Sequence, residues 1–186
     1  MSKKSFLKLI QEQRKKSKKE KFKGTFIDFL EKVKDEPEIA DPAHKKLYDT
    51  LAGHGMSMME DSDPRKSKIF DGDNVKVYDY FKDEFFGAER VVSKIMRFLK
   101  SAASRGEESR QVLLLMGPVG AGKSAITEHI KKSLDGVSYF HIENDPQRGN
   151  PLQLVPRGLR DAFEEELGVR IEGDVSPPVR HMLLAV

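Results

Sequence analysis

A glycine-rich turn between an apolar run and an amphipathic helix is the feature that most limits how this chain can fold. The turn is Gly117-Pro-Val-Gly-Ala-Gly-Lys-Ser124, and it follows the short apolar run 111–116. Such a run is typical of a strand buried on both faces of a parallel sheet. Residues 124–134 then show one apolar face at helical spacing, and residues 137–142 form a second apolar run. This order predicts a βαβ unit and therefore an α/β fold with a parallel sheet.

The same turn matches G-x-x-x-x-G-K-[ST] completely, which is the pattern of phosphate-binding loops. Glycines at 117, 120 and 122 would let successive backbone N–H groups point at one anion. Lys123 can bridge the β- and γ-phosphates of a nucleotide, and the hydroxyl of Ser124 can bind Mg²⁺. We therefore predict Lys123 as the catalytic residue and Ser124 as the metal ligand. The predicted nucleotide contacts are Gly117, Pro118, Val119, Gly120, Ala121, Gly122, Lys123, Ser124 and Ala125.

The region before the turn divides into a basic arm and a helical part. Residues 1–23 carry ten Lys or Arg and two acidic residues, whereas the whole chain has a formal net charge of only +3. Clustered cations can contact nucleic acid, but no aromatic residues alternate with these lysines, so a solvated tail is the favoured interpretation. We predict an arm over 1–23, a helical region over 24–68 and a nucleotide-binding domain over 69–186.

Local signals predict several helices. Thr25 and Asp28 are spaced as a capping box before an apolar stripe that ends at Pro37. Asp41 is expected to cap a second helix, which Gly53 ends. Further predictions are a loop containing the Met56, Met58 and Met59 cluster, a largely buried helix from near Gly87 to 103, and a helix carrying Leu159, Phe163 and Leu167.

Composition excludes several chemistries. Because the chain has no cysteine, it cannot form disulfides, thiolate metal sites or cysteine nucleophiles. The sequence contains no run of roughly 18 apolar residues and no signal peptide, so we expect a cytoplasmic protein without a membrane partner. The five histidines lack metal-site spacing, and Glu164, Glu165 and Glu166 are expected on a solvated helix face.

The segment after the turn is short for a nucleotide-hydrolysing domain. Only 62 of the 186 residues follow Ser124, whereas such a domain needs a sheet of about five strands. Glu143 and Asp145 are the nearest candidates for the acidic element that holds Mg²⁺ through water. The sequence also ends within an apolar helical pattern, so we expect the N-terminal piece of a longer protein.

Five segments together resemble the bacterial PrkA-type serine protein kinases, whose N-terminal half is an AAA+ ATPase module. The similar segments are Ala43-His44 with Leu47-Tyr48, Phe85-Phe-Gly-Ala-Glu-Arg90, Leu113 to Ser124, Ile142-Glu-Asn-Asp-Pro146 and Asn150-Pro-Leu152. The resemblance extends over most of residues 20–186.

The resemblance implies a particular nucleotide and a particular sheet. It implies that residues 117–124 hold the phosphates of ATP, and it suggests Phe86 and Gly87 as part of the adenine wall, which favours ATP over GTP. In the AAA+ strand order the two predicted strands are separated by strands that come later in the sequence. Buried backbone groups without partners are costly, so we expect the isolated chain to be poorly folded or its sheet ragged.

The function implied by the resemblance is that of an ATP-dependent serine/threonine protein kinase that uses Mg²⁺, acts on a protein substrate and assembles from several copies. The acidic Walker B pair, the sensors and an arginine finger are expected outside this sequence, so the isolated chain would be incomplete for catalysis. Two alternatives stay open. One is a small-molecule kinase, which the late position of the loop disfavours. The other is a non-catalytic module in which ATP switches the shape and the basic arm binds a partner or nucleic acid.

Overall fold

The computed structural model describes residues 22–184, so all but the last two residues of the predicted basic arm lie outside the described part. The described chain divides into two compact units. One comprises residues 22–40 and 140–184, and the other comprises residues 41–139. No helix of the described chain is long and apolar enough to cross a membrane.

The first unit is built on helix α1, Phe26–Asp35. Its capping box is confirmed, because the hydroxyl of Thr25 accepts from the backbone N–H of Asp28 and the Asp28 carboxylate accepts from the backbone N–H of Thr25 at 2.7 Å. Short 3₁₀ turns follow at Pro37–Ala40, Pro151–Leu154 and Arg157–Leu159, with helices α6, Arg160–Leu167, and α7, Pro177–Leu184. The core of this unit is formed by Phe29, Val33, Ala40, Leu152, Val155, Leu167 and Ile171.

The second unit contains the remaining helices and the sheet. Helix α2 spans Ala43–Gly53, α3 spans Pro64–Lys68, α4 spans Glu89–Ala103, α5 spans Lys123–Ser133, and a 3₁₀ turn covers Glu107–Arg110. One face of α4 is buried against α2 and the strand Lys76–Tyr78, which confirms the predicted buried helix, although it begins two residues after Gly87. The core residues are Leu51, Tyr78, Phe81, Val92, Ile95, Met96, Leu99 and Ile126.

The sheet differs from the predicted one. Its two strands, β1 (Met56–Met58) and β2 (Lys76–Tyr78), are antiparallel, with Met56 opposite Tyr78. The loop predicted around Met56 and Met58 was therefore wrong in part, since backbone pairing with residues about twenty positions later makes it a strand. Met59 follows the strand and is buried with Phe70 and Val75.

The parallel strands predicted at 111–116 and 137–142 are not formed. Both segments have no strand partner within residues 22–184, where the sheet contains β1 and β2 alone. Val112, Leu114 and Met116 are 91%, 72% and 84% exposed, whereas Leu115 packs against the core. Leu113 is 40% exposed, so exposure alternates along the segment between higher and lower values, as it does along a strand. A strand is completed only by a neighbour that pairs with its backbone.

The observed ends of helices α2 and α6 differ slightly from the predicted ones. Helix α2 is capped by Pro42 without a side-chain hydrogen bond, so the prediction of Asp41 as its cap was wrong by one residue. The Asp41 carboxylate instead accepts a hydrogen bond from Lys45 at 2.5 Å. Gly53 ends α2 as predicted. Leu159 lies before α6 rather than within it, and it is largely exposed.

Candidate nucleotide site

The loop from Gly117 to Ser124 connects the extended segment 111–116 to helix α5. Gly120 and Gly122 adopt left-handed conformations with φ of 81° and 77°, and Gly122 is the N-cap of α5. A Cβ at either position would meet no atom within 4 Å, so the backbone conformation and not a lack of space calls for glycine. Gly117 does not have a positive φ.

The side chain of Lys123 lies back over this loop. Its ammonium donates hydrogen bonds to the carbonyl oxygens of Gly117 at 2.9 Å and of Pro118 at 2.6 Å. Val119 at the tip is fully exposed, and Ser124 and Ala125 are exposed in the first turn of α5. The structure therefore brings the predicted contacts together in one surface loop, with a positive charge held across it.

The electrostatics of α5 favour an anion at the same place. The first turn of a helix presents unpaired N–H groups and the positive end of the helix dipole. The first turn of α5 contains no acidic residue, and its last turn carries Lys131 and Lys132. An exposed helix start with a lysine ammonium above it can bind phosphate groups.

Helix α5 is held to the rest of its unit by the buried side chain of Ile126 and by a pair of hydrogen bonds between Tyr80 and His129. The Tyr80 hydroxyl donates to the backbone carbonyl of His129 at 2.8 Å, and Nε2 of His129 lies 2.9 Å from the backbone carbonyl of Tyr80. Burial raises the pKa of Tyr80, and the charges of Glu84 and Asp135 act in the same direction. The phenol therefore remains a neutral donor that holds the helix.

The segment suggested as an adenine wall packs along the same helix. Phe85 contacts the ring of His129 at a centroid distance of 5.2 Å, and Phe86 beside it is 73% exposed. The guanidinium of Arg65 covers one face of the Phe86 ring at 4.5 Å, and Gly87 has a φ of 80°. Phe86 thus presents an aromatic surface next to the residues that support α5.

Arg65 is itself held by two carboxylates. It donates to Asp63 at 2.6 Å and to the buried Glu89 at 2.5 Å. The hydrogen bonds from Arg65 lower the pKa of Asp63, so the Asp63 carboxylate stays charged near neutral pH. This arrangement fixes the guanidinium in place against Phe86.

The two acidic candidates lie in the other unit and are engaged there. Asp145 is buried and accepts from the backbone N–H groups of Gly149 at 2.7 Å and Gln147 at 3.1 Å, and from the Ser176 hydroxyl at 2.7 Å. These bonds, above all that of Gly149, lower the pKa of Asp145. Asp145 thus closes a turn and holds it to the start of α7, which is a structural role.

Glu143 has a different environment. It is exposed and forms an ion pair with Lys23 at 2.8 Å, and that bond lowers its pKa. In the glutamate run, Glu166 pairs with Lys34, and Glu164 accepts from the backbone N–H of Ile171 at 2.7 Å. The run is therefore more engaged than a purely solvated face. Within residues 22–184, no group of three or more metal-ligating side chains is arranged to hold a metal ion.

A glycine-rich loop that opens a helix is the arrangement by which many nucleotide-binding proteins hold phosphates. The family model described as "PrkA AAA domain" matches residues 24–185. The chain therefore belongs to the PrkA AAA domain family, and the coarse prediction of an α/β fold in this family is confirmed.

The chain is also similar to named bacterial proteins. The chain is 35% identical over 178 residues to "ATP-dependent protease PrkA" of Bacillus subtilis (strain 168), covering 92% of this chain and 26% of the relative. It is 31% identical over 163 residues to "Serine/threonine kinase YeaG" of Escherichia coli (strain K12), covering 83% of this chain and 25% of that protein. The chain thus spans about a quarter of the length of these relatives. No solved structure matches it.

The sequence did not reveal two groups that support the site. Tyr80 and His129 are 49 positions apart, and no local pattern predicts that they exchange hydrogen bonds. The contact between Arg65 and Phe86 also joins distant parts of the chain. One available signal was that His129 lies three residues after Ile126, and so on the face of α5 that the structure buries.

Proposed function

We propose that this chain is the ATP- and Mg²⁺-binding module of a PrkA-like serine/threonine protein kinase. In the complete protein, it would hold ATP while the γ-phosphate passes to a protein side chain or to water. The observation that carries the proposal is the loop itself, in which two left-handed glycines open α5 and the Lys123 ammonium lies across the loop. Membership of an AAA domain family supports the same nucleotide.

The proposed roles follow the positions of the side chains. Residues 117–125 would surround the phosphates, and Lys123 would exchange its two carbonyl partners for phosphate oxygens as charge develops on them. The exposed Ser124 hydroxyl would be a ligand of Mg²⁺. Phe86 and Gly87 would contribute to the adenine wall. The loop supplies positioning and positive charge but no general base.

The complete nucleotide domain is proposed to contain a parallel sheet. Residues 111–116 and 137–142 would become strands when further segments of the full-length protein pair with them. The alternating exposure of residues 112–116 supports this proposal, because a strand places successive side chains on opposite faces. The proposed setting is the cytoplasm, with a protein substrate and further copies of the same protein as partners.

A second candidate is ATP-driven proteolysis, which the name of the Bacillus subtilis relative favours. The Escherichia coli relative is named a kinase, so the two names specify different reactions. Both reactions would use the same phosphate-binding loop. The fate of the γ-phosphate separates them, because a kinase transfers it to a hydroxyl, whereas a protease releases it as inorganic phosphate.

Binding is tested by Lys123→Ala in the full-length protein, with ATP affinity measured by calorimetry in the presence of Mg²⁺. We expect at least a tenfold loss of affinity, or about 1.4 kcal/mol, because the loop loses its mobile positive charge. Lys131→Ala is the matched control, since Lys131 lies on the same helix and pairs with Glu128 at its far end. Equal affinities of both variants would contradict the proposed site.

The reaction is tested with γ-labelled ATP and the full-length protein. Label on serine or threonine of a protein, absent in Lys123→Ala, supports the kinase. Free labelled phosphate together with new peptide fragments supports the protease. ATP binding without any turnover would support the non-catalytic module.

A further inference from the structure

The underside of α5 contains a histidine whose two ring nitrogens both face oxygen atoms. His129 is buried among the rings of Tyr80, Phe81 and Phe85, at centroid distances of 4.4, 5.6 and 5.2 Å. Its Nε2 lies 2.9 Å from the backbone carbonyl of Tyr80, and its Nδ1 lies 2.9 Å from Oε2 of Glu84.

These neighbours determine how many protons the ring must carry. A backbone carbonyl only accepts hydrogen bonds, so Nε2 has to donate. An ionised carboxylate also only accepts, and a neutral imidazole with its proton on Nε2 would direct the lone pair of Nδ1 at it. The Glu84 side chain is 58% exposed, so water solvates its charge. The Glu84 oxygen does not complete a regular hydrogen bond to Nδ1, so the contact is an ion pair by distance. The imidazolium form donates from Nε2 and places a positive charge beside the Glu84 carboxylate.

We propose that His129 is a proton-sensitive positioning residue, whose charged form fastens the phosphate-loop helix to the segment 80–85. Loss of the Nδ1 proton leaves a lone pair facing Glu84, so this attachment weakens. His129 lies six residues after Lys123 on a continuous helix, which is about 9 Å along the axis. The helix transmits the change because it moves as one rigid element, and the N–H groups at its start shift relative to the bound phosphate.

The direction of the effect follows from the charge. With a proton on Nδ1 the attachment is intact, and ATP binds more tightly. Once the ring has lost this proton at higher pH, the attachment is lost and affinity falls. The inference rests on the proposed ATP site, because the change in the attachment of α5 is detected as a change in the affinity of the loop for ATP.

Other titratable groups surround this cluster. His54, at the end of α2, packs its ring on Tyr80 at 4.8 Å, and Asp135, after α5, acts on the Tyr80 hydroxyl. In the segment before Glu84, Asp79 pairs with Lys82 at 3.1 Å. His54 is the other histidine of the cluster, so it provides the matched control.

The experiment measures the affinity of full-length protein for ATP with saturating Mg²⁺ from pH 5.5 to 8.5. The variants are His129→Gln, Glu84→Gln and His54→Gln. Protonation of ATP itself affects all four proteins equally, so the ratio of each variant to the unmodified protein isolates the effect of the side chain. We expect the unmodified protein to weaken about fivefold more than His129→Gln across this range, as coupling between sites commonly reaches such values.

Each variant has a defined expectation. His129→Gln keeps a donor for the Tyr80 carbonyl but cannot be charged, so its affinity should match the high-pH value of the unmodified protein throughout. Glu84→Gln should behave similarly, and its exposed position preserves folding if His129→Gln does not fold. His54→Gln should follow the unmodified protein. Retention of the full pH slope in Glu84→Gln would overturn the proposal.

A second readout does not depend on ATP. Hydrogen exchange at the ring C2 position of His129, followed by mass spectrometry against pH, reports its protonation. Glu84→Gln should move the midpoint of this profile to lower pH, because the charged form loses its carboxylate, and an unchanged midpoint would overturn the proposal. If ATP affinity is equal in the unmodified protein and Lys123→Ala, the proposed ATP site fails, while the C2 profile still decides whether Glu84 holds the charged ring.

Discussion

The segments on the two sides of the glycine-rich loop 117–124 differ in how well their backbone and side chains are paired and packed within the described chain. After the loop, α5 forms a regular helix with Ile126 only 5% exposed, and Tyr80 holds it to the rest of the unit. Before the loop, residues 111–116 are extended without a strand partner in the described chain, and Val112 is almost fully exposed. A helix satisfies its backbone within itself, whereas a strand depends on another segment. The loop thus joins a regular helix to a segment that has no strand partner in the described chain.

Hydrogen exchange should show the largest difference between the two sides. In the 186-residue chain, amides in 126–133 should exchange at least about a hundredfold more slowly than those in 112–116, because only the helix amides are hydrogen-bonded. Mass spectrometry of peptides from the two segments measures this ratio. In the full-length protein the ratio should shrink as 112–116 gains partners. Equal protection in the 186-residue chain would contradict the comparison.

Substitutions of apolar residues should show the same difference between α5 and the segment 111–116. Ile126→Ala should lower the free energy of unfolding by about 2–4 kcal/mol, because it leaves a cavity in the core shared with α2 and α4. Leu114→Ala, on the other side of the loop, should change it by no more than about 0.5 kcal/mol. Urea unfolding of both variants provides the measurement. A large effect of Leu114→Ala would mean that 111–116 is packed in solution.

Glycine substitutions test the point where the loop meets α5, and they should change the free energy of unfolding by a smaller amount than Ile126→Ala. Gly122→Ala should cost about 1 kcal/mol, because alanine disfavours the left-handed conformation that caps α5. Gly53→Ala is the control, since Gly53 ends α2 without a positive φ and with no atom within 4 Å of an added Cβ. The control should be neutral or slightly stabilising. Thermal melts of the two variants, compared in one buffer, show whether the conformation of Gly122 matters.

The sequence was most informative where structure depends on near neighbours. The capping box of Thr25 and Asp28, the buried face of α4 and the start of α5 after Gly122 all follow from residues within a few positions. Strands were harder to predict, because β1 depends on pairing with β2 far along the chain, and 111–116, predicted as a strand, has no strand partner within residues 22–184.

The candidate site was predicted in the same uneven way. The motif located the loop and its lysine, and two of its glycines, Gly120 and Gly122, adopt left-handed conformations. The supports of the site, from Tyr80 to His129 and from Arg65 to Phe86, join distant residues, so no spacing rule could find them. Asp145 could be singled out as an acidic residue, but its role in a turn depends on Ser176, which lies 31 positions later.

The extended segment before the loop also has a consequence for handling the protein. Exposed backbone donors and acceptors beside Val112, Leu114 and Met116 form a ready template for pairing with another molecule. A polypeptide of these 186 residues, produced alone, should therefore aggregate increasingly with concentration, through edge-to-edge contacts at 111–116. If the proposed parallel sheet forms in the full-length protein, the same segment pairs there and this aggregation should be weaker, so solubility itself becomes an assay for the proposed sheet.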